Sequence, residues 1–252
     1  MGQFWWFVNI DKRQEAGCMR EMNDFIFGVD AIRIAGSIAV PAKSPWLSLK
    51  KLEKGAGAWA GDRILCIGSD TTKWPDNILA EVTSGCWFTK SLEDPQAFLN
   101  NAKHEPPYIP PLLSQRPDPH YPEDKTWVLR NLDKKIYICS NVGIPTEKDS
   151  EDGSPKVLKY DGEPGLFAIP GLGSVLVTKM GWSQNPSCSV AWREAASLTR
   201  GEWIGDRVDV RLLEDVEVEL SKPASPWIDD TEKEAKKIRE IWQAAGNKVE
   251  ID

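Results

Sequence analysis

Trp59-Ala60-Gly61-Asp62-Arg63-Ile64 returns, altered only at its apolar members, as Trp203-Ile204-Gly205-Asp206-Arg207-Val208. The common core is W-x-G-D-R-[IV]. Upstream of each copy stands a second shared stretch. Trp6-Phe7-Val8-Asn9-Ile10-Asp11-Lys12-Arg13 returns as Val128-Leu129-Arg130-Asn131-Leu132-Asp133-Lys134-Lys135, with Trp5 or Trp127 ahead of it. Its core is N-[IL]-D-K-[KR]. A further tryptophan precedes each second motif, Trp46 in one case and Trp192 in the other. Two motifs repeated in one order, with a tryptophan in step, signal an internal duplication.

Each motif has a local reading. Asn and Asp bond their own backbone and tolerate turn geometry, so N-x-D-K between β-prone runs marks a hairpin. The chain resumes as Ile136-Tyr137-Ile138-Cys139 in the second copy and more weakly as Gln14-Glu15-Ala16 in the first. Gly61 and Gly205 suit a tight turn leading into a strand. Ile64-Leu65-Cys66-Ile67 follows one; Val208-Asp209-Val210-Arg211-Leu212, alternating with period two, follows the other. Gly171-Leu172-Gly173 reads as a turn before a strand over Ser174–Thr178. Helices are expected over Asp94–Ala102, Ala191–Leu198 and Arg20–Phe27. The plainest helix is the last, from Glu232 to Ala245. It follows the acids Asp229 and Asp230 and ends at Gly246, with Ala235, Ile238, Ile241, Trp242 and Ala245 on one stripe.

The expected fold is therefore α+β. Antiparallel β-structure dominates, in two similar repeats related by pseudo-two-fold symmetry, with a C-terminal helix packed back on the sheets. Repeat one spans residues 1–104 and repeat two 123–225, with the helix and tail at 226–252. Between the repeats, 105–122 holds seven prolines and reads as a connector. The interval from Asn131 to Trp203 exceeds that from Asn9 to Trp59, which places an insertion in repeat two at Gly143–Pro170.

The motifs resemble, in their order, those of a family of uncharacterised fungal proteins. MGQFWWFVNIDKRQ is similar to the usual opening of that family, PEDKTWVLRNLDKKIYI to its central hairpin and PWIDDTEKEAKKIREIWQAAG to its tail. The resemblance spans most of the chain. It implies a fungal, intracellular source and carries no activity, cofactor or catalytic residue.

Composition narrows the function. The 252 residues are 41% hydrophobic and 27% charged, enough for a packed core. A net charge of −7 argues against nucleic acid as the main partner. No apolar run approaches the ~20 residues needed to span a membrane. The opening residues lack a basic stretch and cleavage site, and position 6 is Trp6 where myristoylation requires Ser or Thr. Five widely spaced cysteines, with no C-x-x-C, point to buried thiols in a reducing cytoplasm.

No metal or cofactor signature is present. Gly55-Ala56-Gly57 lacks the G-K-[ST] of a phosphate loop, and Asp149-Ser150-Glu151-Asp152-Gly153 lacks the spacing of a calcium loop. His104 and His120 both fall at the proline-rich connector, a poor place for a rigid catalytic base. The candidate ligand groups are Asp62, Arg63, Asp206 and Arg207, with the unmatched Trp74, Trp87 and Trp182 as exposed platforms. Trp227 is a further unmatched tryptophan. Structural use of the Asp-Arg pairs is favoured, because a fold needs a duplicated motif twice and a catalytic site is needed once. The expected function is a non-catalytic binding or interaction protein with a small-molecule or protein partner. The alternative is a small-molecule enzyme using Asp, Arg and Glu groups in the cleft between repeats. Oligomeric state has no signature.

Overall fold

Alternation sets the first strand, β1 (Trp5–Asn9): Trp5 and Phe7 enter one core and Val8, with Ile10 beyond it, enters another. The computed structural model describes residues 3–20, 22, 26, 29–41, 57–78, 94–104, 125–140, 170–186 and 198–244. The expected helix at Ala191–Leu198, the connector at 105–122, Trp87 and the insertion up to its last residue lie outside them, apart from Leu198.

A turn at residues 10–13 folds β1 back antiparallel onto β2 (Gln14–Arg20). On its other side β1 pairs antiparallel with β3 (Asp62–Gly68). β4 (Lys103–His104) adds to β2 in parallel. The second half places its strands in the same relations. β5 (Trp127–Asn131) pairs antiparallel with β6 (Ile136–Cys139) and β8 (Arg207–Leu212), and β9 (Ile228–Asp229) adds parallel to β6. The strands form one sheet in the order β4-β2-β1-β3-β8-β5-β6-β9. The fold is thus α+β with a mainly antiparallel sheet and a C-terminal helix.

β3 and β8 meet over a short stretch only, Asp62 opposite Val208 and Arg63 opposite Arg207. Beyond it, residues from the opposite half fill the space. β7 (Gly181–Trp182) pairs in parallel with Cys66 and Ile67, and Ala39 makes a parallel bridge to Val210. Both inserts follow a helix, α1 (Val29–Ile38) or α3 (Pro170–Met180). The two helices pack on each other and against one face of the sheet, with Ile34, Ile38, Val175 and Leu176 in the core that holds Trp5, Trp59, Trp127 and Trp203. α5 (Thr231–Ala244) covers the same face through Ala235 and Ile238. The other face is covered by α2 (Pro95–Asn101), with Phe98 edge-on to Trp74, and by α4 (Leu213–Leu220) through Val216.

Helix α3 overturns the strand expected at Ser174–Thr178. Val175, Val177 and Thr178 are β-prone, but Leu172, Val175, Leu176 and Val177 are all buried. A helix enclosed on several sides has no polar stripe, so its sequence imitates a buried strand. Of the helix expected at Arg20–Phe27, Met22 and Ile26 are helical, whereas Arg20 ends β2.

Both motif glycines lie in the left-handed region, Gly61 at φ +82° and Gly205 at φ +76°. Their surroundings differ. A Cβ on Gly61 would meet nothing within 4 Å, while one on Gly205 would stand 2.7 Å from Ile78 Cδ1 and 2.8 Å from Asn77 Nδ2. Gly61→Ala should therefore cost only the backbone strain, about 1–2 kcal/mol. Gly205→Ala should cost measurably more, as urea melts of the two variants will show.

Candidate functional site

The two repeated motifs hold each other. In the first half, Asn9 Oδ1 accepts the Lys12 amide at 2.9 Å and shapes the turn, which Arg13 closes at φ 52°. This places three hairpin side chains over the start of β3. Asn9 Nδ2 donates to Asp62 Oδ2 at 2.7 Å and Lys12 Nζ to the same oxygen at 2.6 Å. Lys12 Nζ also donates to the Ala58 carbonyl. Asp11 grips the next residue: Oδ2 accepts the Arg63 amide at 2.8 Å, and Oδ1 accepts Arg63 Nε at 2.8 Å and Nη2 at 2.7 Å.

The second half repeats these bonds and adds one, from the Asp133 amide to Asn131 Oδ1 at 3.1 Å, beside that from the Lys134 amide at 2.9 Å. Asn131 Nδ2 and Lys134 Nζ donate to Asp206 Oδ2 at 2.7 and 2.6 Å, and Lys134 Nζ donates to the Glu202 carbonyl. Asp133 accepts the Arg207 amide at 2.7 Å, Nε at 3.0 Å and Nη2 at 2.6 Å. Lys135 closes the turn at φ 56°. Asp62, Arg63, Asp206 and Arg207 thus converge where β3 meets β8. The partners Asn9, Asp11 and Lys12, with their counterparts, were not singled out from sequence, although their shared N-x-D-K pattern was the available signal.

The tryptophans behave otherwise than expected. Trp74 is buried at 1% exposure and cannot be a surface platform. Trp182 is half-buried. Its indole N–H donates to the Lys73 carbonyl at 2.7 Å, and the Arg200 guanidinium lies over its ring at 4.4 Å. It packs against the cluster that encloses Trp74. Trp227 is also buried, with the Arg130 guanidinium 5.3 Å and the Lys135 ammonium 4.8 Å from the centre of its ring. The Trp182 indole, its N–H bonded and a guanidinium over its ring, is left little free face.

Two charged clusters were not legible. Arg130, in β5, makes a bidentate pair with Asp209 in β8, Nε to Oδ1 at 2.8 Å and Nη2 to Oδ2 at 2.7 Å, and reaches Glu219 of α4 at 2.9 Å. Burial works against the guanidinium, but its bonds to Asp209 and Glu219 prevail and hold it above its ordinary pKa. Lys179, at the end of α3, is fully buried and bonded to the equally buried Glu234 of α5 and to Glu202.

Burial pushes the Cys139 thiol up, and burial together with the Asp229 carboxylate pushes the Tyr137 hydroxyl up to about 12. Asp133 moves the other way. Partial burial opposes its charge, yet the bonds and charge of Arg207, with Arg63 nearby, hold it below its ordinary 3.8. The bond from Lys179 holds Glu202 below its ordinary 4.5 in the same manner, against burial. A carboxyl depressed in the folded state binds fewer protons there than in the unfolded chain. Its contribution is complete above the unfolded pKa and is lost as pH falls through the native value. The urea midpoint should therefore decline as pH drops below 4.5, and Asp133→Asn should make that decline shallower.

Among the described residues, no three His, Cys, Asp or Glu side chains are grouped to hold a metal ion, and no helix is long and apolar enough to cross a membrane. Comparison with protein-family models, curated proteins and solved structures gives no match to this chain.

Proposed function

We propose that the chain is a non-catalytic binding or interaction protein, built on a tryptophan-rich scaffold of two similar repeats related by a pseudo-two-fold axis near Arg63 and Arg207. The supporting observation is the reciprocal locking of the motifs: the carboxylates and guanidiniums best suited to chemistry are engaged with one another, in the same way in both halves. The carboxyls Asp133 and Glu202 are shifted toward permanent charge, as in structural ion pairs, rather than toward the protonated form of a general acid. Constant registers support the repeat itself. Phe7 opposes Cys66 as Leu129 opposes Val210, and Asn9 opposes Gln14 as Asn131 opposes Ile136. A small molecule or a protein is the partner, in a cytoplasmic setting; that setting and the kinship with the fungal family rest on sequence alone.

Asp62→Asn and Asp206→Asn test the reading, because each keeps the shape and removes the charge. Each should lower stability by about 1–3 kcal/mol, and by similar amounts. Thermal melts decide the matter. A raised melting temperature in either variant would mark a strained functional group and favour the enzyme alternative.

A further inference from the structure

The backbone gives each hairpin no reason to prefer its own motif strand. β1 meets β3 and β5 meets β8 in one register, with Asn9 opposite Ile64 and Asn131 opposite Val208. The motif bonds add no preference either, since both hairpins supply Asn, Asp and Lys and both strands supply Asp and Arg. β1 of one copy on β8 of another, and β5 on β3, would satisfy the same motif bonds.

The sharpest contrast between the two registers lies at one buried cross-strand position. Val8 opposes Leu65, both fully buried and apolar. At the matching place Arg130 opposes Asp209, at 4% and 6% exposure, joined by two hydrogen bonds. Because the first half is built with Val and Leu there, the fold has no intrinsic need for an ion pair at this register. We propose that the contrast is a pairing code, which directs each hairpin to its own motif strand and keeps the first hairpin of one copy off the second motif strand of another. In the exchanged arrangement Arg130 would face Leu65 and Asp209 would face Val8. Each charge would be buried without its partner, which is far costlier than either native pair. A single buried polar residue fixes register in helical assemblies by the same logic. Glu219 and the Trp227 ring, both from the second half, hold Arg130 further in place.

The inference rests on the equivalence of the two halves and not on the binding role. Unequal costs for D62N and D206N would challenge that equivalence, whereas the refolding test below addresses the code alone. The full-length R130V/D209L variant carries the apolar pair of the first half in both places. It should fold, but on refolding from urea over a range of protein concentrations it should yield about tenfold more dimer relative to monomer than the wild type, by native mass spectrometry. V8R/R130V goes further, because it mismatches both native pairings and matches both exchanged ones. Its folded fraction should be mainly dimer that separates only on unfolding. A wild-type monomer-to-dimer ratio for R130V/D209L at every concentration would overturn the code. Failure of R130V/D209L to fold would do the same, since the ion pair would then be a requirement of the fold.

Discussion

Trp203→Ala should lower the unfolding free energy by about 3–5 kcal/mol, the usual loss when a large ring is removed from a packed core. Trp203 is 1% exposed, sits among the residues that join α1 and α3 to the sheet, and lies 5.6 Å from the Lys179 ammonium. Its amide also donates to the Lys179 carbonyl at 3.0 Å, so the ring anchors the segment that leads into Gly205. Trp59→Ala should cost a similar amount. Its amide donates to the Ser37 carbonyl at 2.9 Å in the same fashion, and its indole N–H bonds Gln14. Urea unfolding of the two variants measures both. A loss below about 1 kcal/mol would place either ring at the surface.

The second large effect concerns Lys179. Lys179→Met should cost about 3–5 kcal/mol, because it leaves the buried Glu234 carboxylate without its cation. Lys179→Met combined with Glu234→Leu should recover most of that loss, since well-packed apolar groups replace a buried pair at little net cost. Glu202 remains beside the site but is over half exposed, so water can solvate it once Lys179 is gone. The four chains of this cycle, melted in urea, separate the cost of an orphaned charge from the worth of the pair. A double variant as unstable as the single one would mean that the pair itself holds α5 against α3.

Much of the fold is legible in short-range pattern. The N-x-D-K hairpins, the strands after Gly61 and Gly205, the helix Pro95–Asn101 and the helix Thr231–Ala244 all follow from turn chemistry and periodicity. What escapes is whatever depends on contact between distant segments. Nothing local announces that Ala39 will reach Val210, or that Gly181 will reach Cys66. The same holds for the candidate site. Asp62 and Asp206 stand out as repeated residues, yet their partners become visible only once the hairpin lies over the strand. Trp74 looked unmatched and free for a ligand, but pairing with Phe98 encloses it. Arg130 and Lys179 are isolated charges within apolar runs, and a charge in such a run cannot be told from a solvated one until its carboxylate arrives from elsewhere in the chain.

The short strands at the two ends of the sheet have a consequence for self-association. β4 and β9 are each two residues long and occupy the outermost places, and they carry Lys103 and Asp229. A long bare strand at either place would display a row of unsatisfied amides and carbonyls, the template on which fibrils grow. Here the outermost strands offer an incoming chain two residues each, marked by a charge of opposite sign at each end. At these two outermost places the protein leaves another chain little backbone to pair with.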